Sequence, residues 1–84
     1  MIELYIINND NEEFINNFSS IEGIIEWIRD YFTENNLEFT TKVIQVSDDY
    51  AKFIYSFNNK NIKEIIFKLQ APDYIIQEWR DGDI

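Results

Sequence analysis

Four carboxylates recur at every fourth position in the first half of the chain, and we call them the acidic row: Glu22, Glu26, Asp30 and Glu34. Residues four apart are neighbours on one side of an α-helix, and each interval of four rises about 6 Å. On a helix, the acidic row would therefore form a line of negative charge roughly 18 Å long. The chemistry that such a line can perform is the binding of a basic surface.

The acidic row also has a purely structural interpretation, as the solvated side of a helix in an acidic protein. Like charges four residues apart destabilise a helix by a few tenths of a kcal/mol per pair. Glu34 would lie near the helix C-terminus, where the macrodipole favours cations. Selection for stability alone would place lysine at some of these positions. Both interpretations stay open at the level of sequence.

Catalysis has little support in the sequence. The chain has no histidine and no cysteine, so the most common acid–base group and the most reactive nucleophile are missing. It contains neither a glycine-rich phosphate loop nor a nucleophile elbow. Two acidic stretches, residues 10–13 and 81–83, lack the ligand spacing of a calcium-binding loop. We therefore predict a protein that is not an enzyme and that uses no cofactor or metal.

The net charge of −9 is concentrated in the first half of the chain. Residues 1–38 contain nine acids and one base, whereas residues 39–84 contain seven acids and six bases. Such a charge repels nucleic acid and anionic membranes and favours basic surfaces. The expected partner is a basic protein that itself binds nucleic acid, with no direct nucleic-acid or membrane binding. The predicted contact residues are the acidic row and three acids that precede it: Glu22, Glu26, Asp30, Glu34, Asp10, Glu12 and Glu13.

One amphipathic helix over residues 19–36 would carry the acidic row. Apolar residues at the spacing of a buried stripe lie on its other side: Ile21, Ile24, Ile25, Ile28 and Phe32. Ser19 with Glu22 fits a capping box, and Asn35-Asn36 fits a helix stop.

Strands are predicted on both sides of this helix. Ile2–Ile7 is β-branched and aromatic, and residues 37–70 alternate in the manner of a three-stranded antiparallel meander. In the first strand of the meander the alternation changes phase, with Phe39 and Val43 on one side and Ile44 on the other. This change predicts a bulge, a strong twist or cover on both faces.

Two segments fit more than one structure. Residues 11–18 could return along the first strand as a hairpin or form a helical turn, and their apolar spacing slightly favours the turn. Residues 74–80 could form a strand or a short helix, and their β-branched and aromatic content slightly favours the strand.

These elements predict a single α+β domain over residues 1–84, in the order β-α-β-β-β followed by a C-terminal strand or short helix. The main helix packs on one face of a small antiparallel sheet. The other face would carry apolar residues that the helix does not cover: Tyr5, Tyr50, Ile54, Ile62 and Ile66. A homodimer or a partner protein could cover them.

The predicted function is that of a small non-enzymatic inhibitor that occupies the nucleic-acid-binding surface of a basic protein by imitating the polyanion. In size and charge the chain resembles small acidic inhibitors of phages and mobile elements, namely anti-CRISPR, anti-restriction and uracil-glycosylase-inhibitor proteins. No motif places it in one of these families. One alternative is an immunity protein or antitoxin that neutralises a basic toxin. Another is a structural homodimer whose charge serves only solubility. The lack of cysteine, of a signal-like N-terminus and of a long apolar run predicts a cytoplasmic protein.

Overall fold

The computed structural model describes residues 1–82, which form a five-stranded antiparallel sheet and two helices. Along the chain the elements are β1 (Ile2–Asn8), β2 (Asn11–Phe18), α1 (Ile21–Glu34), β3 (Phe39–Val46), β4 (Tyr50–Phe57), β5 (Glu64–Gln70) and α2 (Asp73–Arg80). The strand order across the sheet is β2-β1-β5-β4-β3. The α+β class, the main helix on the sheet and the meander of β3, β4 and β5 are confirmed. The observed order gains one strand, β2, and ends in a helix.

Residues 11–18 form β2, so the preference for a helical turn is wrong. Asn9 and Asp10 connect β1 to β2 with φ angles of 50° and 70°. Positive φ at both central residues is the property of a type I′ hairpin turn, and Asn and Asp tolerate it better than most residues. Most of β2 is exposed, so pairing with β1, rather than burial, holds it in place.

Residues 74–80 belong to α2, so the preference for a strand is also wrong. Ile76 and Trp79 are both buried, and a helix places residues three apart on one side, whereas a strand does not. The helix has an acid in its first turn and a base in its last, in agreement with its macrodipole. The guanidinium of Arg80 also donates a hydrogen bond to the carbonyl of Ser47 at 2.8 Å, which fastens α2 to the turn after β3.

The core lies between one face of the sheet and the two helices. The sheet contributes Ile2, Leu4, Ala51, Phe53, Tyr55, Phe57, Phe67 and Leu69. From α1, the buried residues are Ile24, Ile28 and Phe32. Ile25, which was expected in the buried stripe, is 37% exposed. It lies at the margin of the stripe and lines a groove between α1 and β3.

The N-cap of α1 is Ser20 rather than Ser19. The Ser20 hydroxyl accepts a hydrogen bond from the amide of Gly23 at 3.3 Å. Because the cap lies one residue later than expected, the third helical position is Gly23, and the predicted capping box with Glu22 does not form. The stop at the other end is confirmed, with Asn36 at a φ of 53°.

A bulge interrupts β3 between Phe39 and Thr41, which is one of the three outcomes that the change of phase predicted, and it places Val43 on the face opposite Phe39, against expectation. Phe39 pairs with Phe57, and Ile44 pairs with Phe53, so both lie on the face that the helices cover. The sequence pattern had separated them, because the extra residue of a bulge shifts every later side chain to the other face.

Candidate functional site

All four residues of the acidic row are exposed on α1. Positions four apart on a helix differ in direction by about 40°, so the row winds gradually across the solvent side, away from Ile28. The ion pairs within residues 1–82 are Lys68–Glu12 and Arg80–Asp48. No base of this part of the chain therefore forms an ion pair with a member of the acidic row.

An aromatic cluster holds α1 against the sheet beneath the acidic row. Trp27 and Tyr31 stack with ring centroids 5.4 Å apart and planes at 7°. Both rings meet Phe67 of β5 nearly edge-on, each with a centroid distance of 6.2 Å. Such aromatic pairs contribute about 0.5–1.5 kcal/mol each beyond their buried area. The acidic row thus lies on a helix that is firmly packed.

The three acids that precede the helix do not form one surface with the acidic row. Glu12 lies on the sheet face opposite α1, where its carboxylate accepts a hydrogen bond from Lys68 Nζ at 2.9 Å. Glu13 is the cross-strand partner of Ile6 and lies on the helix side, while Asp10 occupies the turn between β1 and β2. One flat partner surface cannot contact Glu12 and the acidic row together.

A groove of about 440 Å³ runs between α1 and β3. Its lining is mainly apolar and includes Ile25 and Phe39, which are exposed, together with two bases, Arg29 and Lys42. Lys42 Nζ lies 5.1 Å from the ring centroid of Phe53. Arg29 is the single base among residues 1–38, and it lines this groove together with Glu38.

The pKa shifts in the structure concern tyrosines. Burial raises the pKa of Tyr55 to about 12. A hydrogen bond from its hydroxyl to Glu3 is the main cause that raises the pKa of Tyr5. Both shifts disfavour the phenolate form of these tyrosines. In the part of the chain that is described, no three acidic side chains converge to hold a metal ion. Asp83, of the second acidic stretch, lies outside that part.

The sheet face away from the helices, which we call the open face, is a second surface of interest. Four of the five residues predicted for it lie there: Tyr5, Tyr50, Ile54 and Ile66. Ile62 instead packs against the core. The register adds what the sequence pattern missed, an apolar row that crosses four strands: Ile7, Ile66, Ile54 and Val43. The row joins residues that are distant in the sequence, so it follows from the strand order and cannot be predicted from a local sequence pattern.

Neither helix of the described chain is long and apolar enough to cross a membrane. Comparison of the chain with known protein families, curated proteins and solved structures finds no match.

Proposed function

We propose that this protein is a non-enzymatic inhibitor, which binds through its acidic row to the nucleic-acid-binding surface of a basic partner protein. The observation that carries the proposal is the exposure of four carboxylates on one packed helix, with no base of residues 1–82 paired to them. Repulsion within the row costs a few tenths of a kcal/mol per neighbouring pair. A helix face that carries this cost without an ion pair to offset it supports a role in binding.

The acidic row would occupy the place of a short segment of nucleic acid, although its charge density is lower. Duplex DNA carries one charge per roughly 1.7 Å, several times more densely than four charges over about 18 Å. Glu12 adds nothing here, because it is paired to Lys68 on the other face. The main effect of the row is attraction at a distance, which accelerates association with a basic surface. The proposed site of action is the cytoplasm, whose reducing conditions suit a chain without cysteine.

The test compares two variants of equal net charge. In the neutralised-row variant, Glu22→Gln, Glu26→Gln, Asp30→Gln and Glu34→Gln are combined. In the control variant, four exposed acids elsewhere are replaced: Glu38→Gln, Asp49→Asn, Glu78→Gln and Asp81→Asn. Both variants lose four negative charges, so a difference between them reports the position of the charges.

Immobilised wild-type protein is used to capture partners from a lysate of the native host, and the affinity of each captured protein is then measured for all three chains. We expect a basic nucleic-acid-binding protein that duplex DNA or RNA displaces and whose binding weakens steeply with salt. The neutralised-row variant should lose about tenfold or more in affinity, mainly through slower association, while the control variant keeps most of it. Equal affinities for the two variants would overturn the proposal. Capture of a toxin through its active site would instead identify an immunity protein.

A further inference from the structure

The open face combines an apolar row with opposite charges on its two sides. On β5 the outward residues follow one another as Lys68, Ile66 and Glu64. On the neighbouring strand β4, their cross-strand partners are Lys52, Ile54 and Ser56, in that order. Each such pair forms one level across the sheet. The apolar row therefore lies midway between a basic level and a level that contains an acid.

We propose that the open face is the interface of a homodimer whose twofold axis runs along the apolar row. Rotation by 180° about this line places each strand over its counterpart and exchanges the two flanking levels. Ile66 and Ile54 then meet the same residues of the second copy. Glu12, which continues this level on β2, meets the Glu12 of the second copy at the edge of the interface, each paired to Lys68 of its own chain. Lys68 of each copy lies opposite Glu64 of the other. An isologous interface requires this self-complementarity, and packed sheets accommodate it with strand directions within about 30° of each other.

The local charges favour the arrival of a second acid. Lys52 and Lys68 are direct cross-strand partners, an arrangement of like charges that destabilises a sheet. Lys68 is paired with Glu12, but within residues 1–82 Lys52 has a tyrosine ring as its neighbour, with Nζ 5.5 Å from the centroid of Tyr50, and no carboxylate partner. These two lysines therefore have one carboxylate, Glu12, beside them. Under the proposed axis Glu64 of the second copy lies over Lys68, one strand away from Lys52, and adds a second carboxylate to the lysine pair.

The area of the open face is sufficient for a weak dimer. Five strands about 4.8 Å apart and seven residues long cover about 24 by 23 Å, so a dimer removes roughly 1,100 Å² from water. This area is near the lower limit of specific interfaces. We therefore expect a dimer that dissociates at concentrations on the order of micromolar.

The two edges of the sheet are poor alternatives for self-association. Each edge strand pairs with its single neighbour through a bulge, and each places a charged residue on the helix side, Glu13 on β2 and Lys42 on β3. Bulges and inward-pointing charges are the devices by which natural proteins block pairing of sheet edges. Association of two copies is therefore directed to the open face.

The first experiment measures the sedimentation of the purified chain over a hundredfold range of concentration centred on about 10 µM. The wild type should pass from monomer to dimer within this range. Ile54→Asp should raise the dissociation constant of the dimer at least tenfold, because it places a charge on the axis. Ile25→Asp is the matched control, since Ile25 is also apolar and accessible but lies on the helix side. A wild-type monomer at every concentration, or equal effects of the two substitutions, would overturn the proposal.

The second experiment tests the axis by charge reversal. Glu64→Lys and Lys68→Glu should each weaken the homodimer, because each creates two like-charged contacts. An equimolar mixture of the two variant chains should recover dimers, since in the mixed dimer both contacts again join a base to an acid. Glu64→Lys leaves the Lys68–Glu12 pair intact, so it remains informative if Lys68→Glu perturbs the fold. Weakened homodimers that the mixture does not restore would refute this axis.

Discussion

The ring of Phe32 meets the ring of Tyr55 edge-on, with centroids 4.9 Å apart and planes at 82°. Phe32 lies toward the C-terminal end of α1 and Tyr55 lies within β4, so the pair joins the helix that carries the acidic row to the sheet. Phe32 also packs against Phe57 and Phe67. Aromatic packing, rather than charge, therefore fixes the position of the row, and the two contributions can be tested separately.

Ile28→Ala should destabilise the protein by about 2–5 kcal/mol, through the lost transfer free energy of the side chain and the cavity left behind. Ile28 is 2% exposed, whereas Ile25, three residues earlier on the same helix, is 37% exposed. Ile25→Ala is thus a matched control with an expected cost below about 1 kcal/mol. Urea unfolding of the two variants measures the difference. Similar losses would mean that the burial of α1 is wrongly assigned.

Ser20→Ala should cost about 1 kcal/mol, because it removes the hydroxyl that accepts from the Gly23 amide. Ser19→Ala is a control of identical chemistry and should stay within about 0.5 kcal/mol of wild type, since Ser19 is exposed and precedes the cap. Thermal unfolding of both variants distinguishes the positions. If Ser19→Ala were instead the more destabilising variant, Ser19 would be the N-cap, as the sequence pattern predicted.

The elements with strong periodicity could be predicted from the sequence. β4 shows why, because Ala51, Phe53, Tyr55 and Phe57 are all buried and alternate with less buried residues. The stripe of α1 was equally clear at Ile24, Ile28 and Phe32, which are buried as expected. The exposure of the acidic row follows from the same stripe, since it occupies the opposite side of the helix.

The segments that sequence reasoning misjudged depend on tertiary contacts or on exact phase. In α2, β-branched and aromatic residues favour a strand locally, but burial of Ile76 and Trp79 against the core selects a helix. In β2, little burial accompanies the strand, and its best signal is Asn9-Asp10 as a tight hairpin turn. Whether Glu12 lies on the same side of the protein as the acidic row depends on the register with which β2 pairs with β1.

Tyr55 should make stability depend on pH in alkaline solution. Burial raises its pKa from 10.0 to about 12, so the folded state retains a proton that the unfolded chain releases. Its contribution is fully present below pH 10 and is lost as the pH rises from about 10 to 12. Tyr55→Phe keeps the ring and removes the ionisable group, so stability measured across this range should fall less in the variant than in wild type. Parallel curves would show that Tyr55 ionises without penalty in the folded protein.

Neutralising the acidic row should leave the fold intact and reduce the dependence of stability on salt. Its three neighbouring pairs repel by a few tenths of a kcal/mol each, or about 1 kcal/mol together. Loss of the favourable Glu22 charge at the helix N-terminus is offset by removal of the unfavourable Glu34 charge at the other end.

Salt screens exposed charges within about 10 Å at 0.1 M, so the wild type should gain thermal stability as sodium chloride is added, and the neutralised-row variant should gain less. The control variant carries the same net charge but an intact row, and its melting temperature should follow the wild-type curve. Three parallel curves would mean that the row does not strain its helix. In that case the charges need no functional explanation, and the proposal that the row serves binding would lose its main support.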